Sequence, residues 1–314
     1  MRLFEKNIIC SLLNIRYPII EGGMAWAGSP ELCVAVSEAG ALGTIGAGAM
    51  NPQELNRAIN YVQAHTSKPF AVNFVVFSPF IDELVHLAAD KKVPVCIFGA
   101  GNPQRHVLRL KAEGIRVLSV CSSPSLAILL ERAGVDMIIG EGLESGGHVG
   151  DVSTMTLIPA VRDSICVPLI AAGGIVDGRT MAAAMCLGAD GVQMGTRFLC
   201  SVESTVSESF KQMILKKDVR GTHLTGEKLG HPVRVLKTPF SKKVKRMEIE
   251  DPDQAEQMIL GSLKNAVLDG DIQNSSFMAG MAAGNIHDIL PVADIVEQMI
   301  SDYERMVRKV SSGE

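Results

Sequence analysis

The chain has 314 residues, 47% hydrophobic and 4% aromatic, with 30 glycines and a formal net charge of −4 from 30 basic and 34 acidic side chains. That size suits one large α/β domain, or one carrying an insertion, and the charge balance gives no basis for nucleic-acid binding. Seven scattered cysteines without a Cys-x-x-Cys pair read as buried, reduced thiols rather than a disulfide framework or a zinc site.

The first residues carry Glu5 and no small-residue cleavage site, and the apolar run behind them is broken by Asn14 and Arg16. No later run reaches membrane-spanning length, so a soluble cytoplasmic protein is expected, with no membrane partner. Short apolar runs then recur at 18–21, 42–45, 70–75, 95–98, 117–120, 137–140, 169–172 and 191–194. Between them, Ser29-Pro30, Asn51-Pro52, Ser78-Pro79, Asn102-Pro103 and Ser123-Pro124 read as helix starts. The first residue of each pair caps an orphan N–H, and proline fits the first helical position. Gly40, Gly114, Gly134 and Gly188 read as helix ends. Eight strands alternating with helices predict a TIM (β/α)8 barrel closing near residue 200. The first turn, Glu21-Gly22-Gly23-Met24-Ala25, lacks the Gly-x-Gly-x-x-Gly of a dinucleotide fold.

The expected organisation is a barrel over 1–200, a small and mostly helical cap over 201–274, and a return segment with a C-terminal helix over 275–314. The cap contains a polar loop at 221–230, a basic run at 242–246 and an acidic one at 248–253, with no convincing strand alternation. The basic run reads as a solvated face, or as a contact for an acidic carrier protein or a dinucleotide phosphate.

In a barrel of this type the chemistry sits at the C-terminal strand ends. Ala172-Gly173-Gly174 and Gln193-Met194-Gly195-Thr196 each end a strand in glycine where a helix should start, a pattern that cradles phosphate. Gly22, Gly23, Met24, Asn73, Gly99 and Glu141 end the other strands, bare enough for a flat ring, with Asn73 and Gln193 able to meet its polar edges. A flavin mononucleotide has both that ring and one phosphate. His148 lies in the glycine-rich loop Glu141–Gly150 with Gly146 and Gly147, and is the candidate general acid/base or substrate-orienting donor. His65, His86 and His106 read as surface or helix-end residues, and His231 as a weak candidate for the mouth. Cys121 and Cys200 read as core thiols, with a nucleophilic role as the alternative.

Gly22-Gly23-Met24-Ala25-Trp26, Asn73, Gly99-Ala100-Gly101, 141–150, 171–175 and 193–198, with Met278-Ala279-Gly280 further on, resemble the FMN-dependent group of nitronate monooxygenases (2-nitropropane dioxygenases) and type II enoyl-acyl-carrier-protein reductases. The first turn, Gly230-His231-Pro232-Val233-Arg234 and the compact length are closer to the reductase branch. Glu21 and Met281 depart from the glutamines usual at those places. The resemblance implies FMN held without a covalent bond, its phosphate on Gly173, Gly174, Gly195 and Thr196, with Met278 and Gly280 also at the site. It implies NADH or NADPH as reductant, an enoyl thioester of fatty acid synthesis as substrate, small or carrier-bound, and His148 beside the flavin. A monovalent cation and a homodimer are further expectations of the group. The alternative is oxidation of alkyl nitronates with oxygen, and a remote one is a flavin-free barrel binding a phosphorylated ligand.

Overall fold

The computed structural model describes residues 4–313; the first three residues, part of the start read as lacking a leader, lie outside them. Among the described residues eleven strands run in chain order: β1 Ile19–Glu21, β2 Gly43–Gly46, β3 Phe70–Val75, β4 Val95–Gly99, β5 Arg116–Cys121, β6 Met137–Glu141, β7 Gly147–His148, β8 Leu169–Ala172, β9 Gly191–Met194, β10 Thr222–Thr225 and β11 Val233–Leu236. Eight of them form one parallel sheet in the order β1-β9-β8-β6-β5-β4-β3-β2, the expected barrel. Their side chains alternate between two cores. Ile20, Leu42, Ile97, Leu118, Ile139 and Ile170 fill the interior, while Ile19, Ile45, Phe74, Phe98, Ile138 and Leu169 face the surrounding helices. Ile9 and Leu13 of the helix Ile8–Leu13 join the interior cluster. A Cβ at Gly191, at the start of β9, would come within 3.3 Å of Ile9, so this helix plugs the end of the barrel opposite the strand C-termini.

The seam between β1 and β2 is the thinnest part of the wall. It has one bridge, Ile20 to Leu42, made by Glu21 N–H to Leu42 O and Leu42 N–H to Ile19 O, each 2.9 Å. The Glu21 carboxylate continues it by accepting the Thr44 N–H at 2.9 Å. Glu21 is fully buried and its Oε1 has no partner. Burial pushes its carboxyl well above the usual range, against a smaller opposing effect of the Thr44 bond. A carboxyl whose charged form is disfavoured by burial thus stands where the family resemblance leads one to expect a glutamine.

Ser29, Asn51 and Ser123 cap helices that start at the following proline, as expected. Ser78 and Asn102 do not. Each accepts the N–H two residues on, and their helices start later, at Ile81 and Gln104. The side chain in these two cases closes a turn before the helix rather than its first orphan donor. Gly40, Gly114, Gly134 and Gly188 all take positive φ and end helices as read.

Beyond the barrel, four helices, Glu208–Leu215, Pro239–Glu250, Pro252–Ile259 and Ser262–Leu268, accompany β10 and β11. The two strands correct the strandless reading of this segment. They pair with each other and with β7 in a three-stranded antiparallel sheet, order β10-β11-β7. Four-residue strands with little alternation carry a weak local signal, and this pair depends on an edge supplied from about 80 residues upstream. Phe210 packs edge-on against Phe277, centroids 5.0 Å apart, in a cluster that also contains Leu199 and Ala27 from the barrel mouth. The final helix, Val292–Ser312, lies on the helix Gly178–Cys186, where a Cβ at Gly178 would overlap the backbone at Tyr303. Among the described residues no helix is long and apolar enough to cross a membrane.

Because Glu21 is protonated more readily in the fold than in the unfolded chain, its contribution to stability is full below the ordinary carboxylate range. It declines as pH rises above that range, by at most ~1.4 kcal/mol per pH unit until the raised value is reached. Glu21→Gln keeps an oxygen for Thr44 and removes the titration. Thermal melts should therefore show little difference near about pH 4 and a widening advantage for the variant towards about pH 8. A difference independent of pH would show that Glu21 keeps its charge.

Candidate active site

At the C-terminal ends of the barrel strands lies a cavity of about 380 Å³. Its walls bring together the residues read from the sequence as the catalytic and cofactor-binding set: Gly22, Gly23, Met24, Asn73, Glu141, Gly146, Gly147, His148, Ala172, Gly173, Gly174, Gln193, Met194, Gly195, Thr196, Met278 and Gly280. The floor is backbone. Gly22 N–H donates to Met194 O at 2.8 Å, tying the turn after β1 to the end of β9. A Cβ at Gly23 would overlap the Asn73 side chain, so glycine there lets the amide lie against the turn.

Gly173 and Gly174 both take positive φ, at 94° and 78°, turning the chain sharply after β8. The helix that follows begins only at Gly178, and its first orphan N–H groups are taken by Asp177, whose carboxylate accepts from Thr180 N at 3.0 Å. The helix Thr196–Leu199 after β9 is a single turn. The helix after β8 thus starts beyond the glycine turn, whose loop N–H groups form a nest, while the single turn after β9 opens at Gly195 with no side chain bonded to its first N–H groups. Thr196 Oγ1 accepts the Gly280 N–H at 2.9 Å, which leaves its own O–H proton to offer.

The loop after β6 is clamped on both sides. Glu144 Oε2 accepts the N–H and hydroxyl of Thr154, each at 2.9 Å, and the same hydroxyl lies 2.9 Å from Gly173 O. Met281 N–H donates to Glu144 O at 2.8 Å, and Arg234 Nε to Leu143 O at 2.9 Å. A Cβ at Gly146 would lie 2.7 Å from backbone atoms of Ala279 and Gly280. These ties deliver Gly147 and His148 as β7, paired with Arg234 and Val233 of β11. His148 stays accessible from the cavity, yet the surrounding protein, and after it the nearby His231, lowers its pKa from the usual imidazole value. It is therefore neutral at pH 7, one nitrogen an N–H donor and the other a lone-pair acceptor. Glu141, at the end of β6, has its carboxyl pushed up to about 7 by burial.

Other candidates resolve differently. His231 does not line the cavity; its Nε2 donates to Glu256 Oε2 at 3.0 Å. His106, in the first turn of the helix Gln104–Ala112 and so a helix-end residue as read, is buried and stacks on Phe98 at 5.9 Å, which corrects only its reading as a surface residue. Burial pushes the thiols of Cys121 and Cys200 up to about 12, so both remain protonated core residues. The apolar side of the cavity was not legible in the sequence. Phe210, Leu263 and Val267 of the cap and Leu199 line it, with Phe77, 72% exposed, beyond β3. Helical spacing makes such residues look like core, and nothing in it separates a core wall from a cavity wall. Trp26, at a positive φ of 65°, meets Lys264, whose ammonium lies 4.9 Å from the ring centroid and ties the helix Ser262–Leu268 to the mouth.

A sequence profile described as nitronate monooxygenase matches residues 6–84 and 80–302. The chain belongs to the nitronate monooxygenase family. It is an FMN-dependent oxidoreductase of that family. Among curated relatives, the probable nitronate monooxygenase of Staphylococcus saprophyticus is 36% identical over 87% of this chain and 91% of its own length. Among solved structures, FabK from Thermotoga maritima is 51% identical, with a TM-score of 0.97, covering 98% of this chain and 99% of that one. The nitroalkane oxidase of Streptomyces ansochromogenes, in the same family fold, is 27% identical with a TM-score of 0.86, over 96% and 99% of the two chains.

The residues present fit the flavin of a nitronate monooxygenase family member. Gln193 is buried with its Oε1 lacking any partner. An orphaned acceptor is costly, and it faces the cavity where a ring N–H would answer it. The Gly173-Gly174 nest has the shape of a phosphate cradle. Gly174 has positive φ, and a Cβ there would already touch Glu144 at 3.4 Å. Gly174→Asp therefore adds backbone strain and a carboxylate at that cradle, and the purified variant should be colourless with FMN affinity reduced by 100-fold or more, roughly 3 kcal/mol. Normal flavin content would place the phosphate elsewhere.

Proposed function

We propose that the protein reduces trans-2-enoyl thioesters with NADH or NADPH, as an enoyl-acyl-carrier-protein reductase of fatty acid synthesis. The observation that carries this reading is the 51% identity to FabK, an enoyl-acyl-carrier-protein reductase, over 98% of the chain, against 27% to the nitroalkane oxidase. The cavity supports it. One side is glycine backbone suited to a flat ring, and the other is the apolar wall of Leu199, Phe210, Leu263 and Val267, suited to an acyl chain.

In this reading Gly173, Gly174, Gly195 and Thr196 hold the phosphate, Gln193 and Asn73 meet the ring edge, and Met278 and Gly280 close the site from the return segment. FMN, when bound, supplies the transfer of hydride from the nicotinamide to the β-carbon of the substrate. His148 offers its N–H to the thioester carbonyl, polarising the double bond and fixing the chain across the cavity; the α-carbon takes its proton from solvent. Glu141, protonated below about 7, donates to a ribityl or ring acceptor.

Nitronate oxidation is the second reading. It is favoured by the 36%-identical relatives of that name and by the neutral His148, whose lone pair can take the α-proton of a nitroalkane.

Anaerobic NAD(P)H oxidation by the FMN-loaded protein tests the choice. Many turnovers that require a trans-2-enoyl thioester are expected; none with the thioester, together with oxygen uptake on alkyl nitronates, would select the second reading. His148→Ala should keep its flavin and lose on the order of 100-fold or more in turnover, and unchanged turnover would remove His148 from the chemistry. FMN affinity should fall as pH rises through about 7 because Glu141 loses its donor proton. That inflection should be absent in Glu141→Gln, and its persistence there would assign the titration to another group.

A further inference from the structure

The charge of this chain is unevenly placed. Between Lys211 and Arg246 stand eleven lysines and arginines against two carboxylates, Asp218 and Glu227, in a protein whose net charge is −4. The rest of the chain is correspondingly acidic. Folding gathers much of this segment on one side of the cap. The helix Pro239–Glu250 is fixed to β10 by His223 Nε2 with Ser241 Oγ at 2.8 Å, and by Glu248 Oε1, which accepts the Gly226 N–H at 2.5 Å. Lys217 Nζ donates to Lys237 O at 2.7 Å, and Lys237 Nζ to Arg220 O at 2.5 Å. Lys242 and Lys237 both act on Lys217, which burial and their charges hold below the usual amine range. Burial, and then Lys245, Lys237, Lys242 and Arg234, push His223 down to about 4. The positive field therefore converges on one face. Lys245 and Arg246 are answered by Glu227 and Glu250, but Lys216, Arg220, Lys242 and Lys243 are exposed with no ion-pair partner among the described residues.

We propose that this face, centred on Lys216, Arg220, Lys242 and Lys243, is the docking surface for an acidic carrier protein that presents the thioester on a flexible arm. The inference rests on the thioester reading above and adds where the carrier sits. The same sheet that carries the cationic face carries the candidate catalytic ring. β10 and β7 are the two edges of the order β10-β11-β7, and His148, Val233 and Thr225 stand in one row across it. At about 5 Å per strand and about 3.3 Å per residue, Thr222, the β10 residue next to the face, is about 14 Å from the His148 backbone. A carrier bound there is close enough for an extended arm to enter the cavity, and too far for the carrier itself to block it. A compact acidic domain also fits the charge pattern better than a long polyanion, which would run off the face onto acidic surface. Unpaired cations spread over one face steer a complementary protein more than they enclose a single phosphate.

The test uses the FMN-loaded enzyme and three forms of one short enoyl thioester: on the acyl carrier protein, on coenzyme A, and on neutral N-acetylcysteamine. The variants are Lys242→Glu with Lys243→Glu, and separately Arg220→Glu, each checked for flavin content and melting temperature. The expected result is a loss of at least about tenfold in kcat/KM for the carrier-bound substrate, mostly in KM, that shrinks at about 0.5 M salt. The N-acetylcysteamine substrate should change by less than about twofold over the same variants. Carrier-bound kcat/KM unchanged in both variants would overturn the surface. So would equal losses with all three substrates, a loss with coenzyme A as large as with the carrier, a raised KM for NADPH, or tighter binding of duplex RNA than of carrier protein. The two proposals fail differently. A wild-type enzyme that reduces no thioester fails the reductase reading, and titrating labelled carrier protein against wild type and variants then decides the surface by itself, with equal affinities overturning it.

Discussion

A two-residue strand joins the barrel to its cap, and the site depends on it. Gly147 and His148 leave the loop after β6 and pair with Arg234 and Val233, so one edge of the cap sheet is built from barrel sequence. Without that edge β10 and β11 would be an isolated hairpin, which is marginal in water. The clamp behind it, from Glu144 to Thr154 and from Met281 to Glu144, fixes the loop to both the β8 turn and the return segment. The position of His148 over the cavity follows from these hydrogen bonds, made by backbone and by the Glu144 and Thr154 side chains, rather than from apolar packing.

Neutrality is the second organising feature. Glu21 in the seam, Glu141 at the cavity and His148 at its mouth all have their charged forms disfavoured, chiefly by burial. Each is thereby available as a hydrogen-bonding group at neutral pH. Glu21 uses this for architecture, doing in the β1–β2 seam what an amide would do. Glu141 and His148 face a cavity in which a carboxylic acid can donate and an imidazole can both donate and accept. The contrast with the cap is sharp. There Lys216, Arg220, Lys242 and Lys243 lie exposed, and the cations around His223 add to burial in pushing its imidazole down to about 4.

A single site can serve two chemistries here because hydride and electron transfer belong to the cofactor, while the protein positions and excludes. In the proposed reading the glycine floor and the Gln193 acceptor address the cofactor and are indifferent to the substrate. What distinguishes an acyl chain from a small nitronate lies in the cap wall of Phe210, Leu263 and Val267 and in the mouth beside Phe77. The family match therefore establishes the enzyme class, and the choice of substrate rests on the cap.

The barrel was legible in the sequence because its signals are local. Apolar runs of strand length, Ser or Asn before proline, and glycine at helix ends act within one turn of the chain, and the eight strands appear within a residue of their expected bounds. The cavity residues were legible for a related reason: in this fold strand C-termini share one end, so a list of strand ends is already a list of neighbours. Tertiary structure alone decided three things. The cap hairpin exists only because β7 offers it an edge; the helix after β8 is capped by its own Asp177 and starts beyond the glycine turn; and Lys217, Arg220, Lys237 and Lys242 come together because β10 and the helix Pro239–Glu250 fold together. Each depends on contacts between segments far apart in the chain, and no periodicity along the sequence encodes which distant partner will arrive.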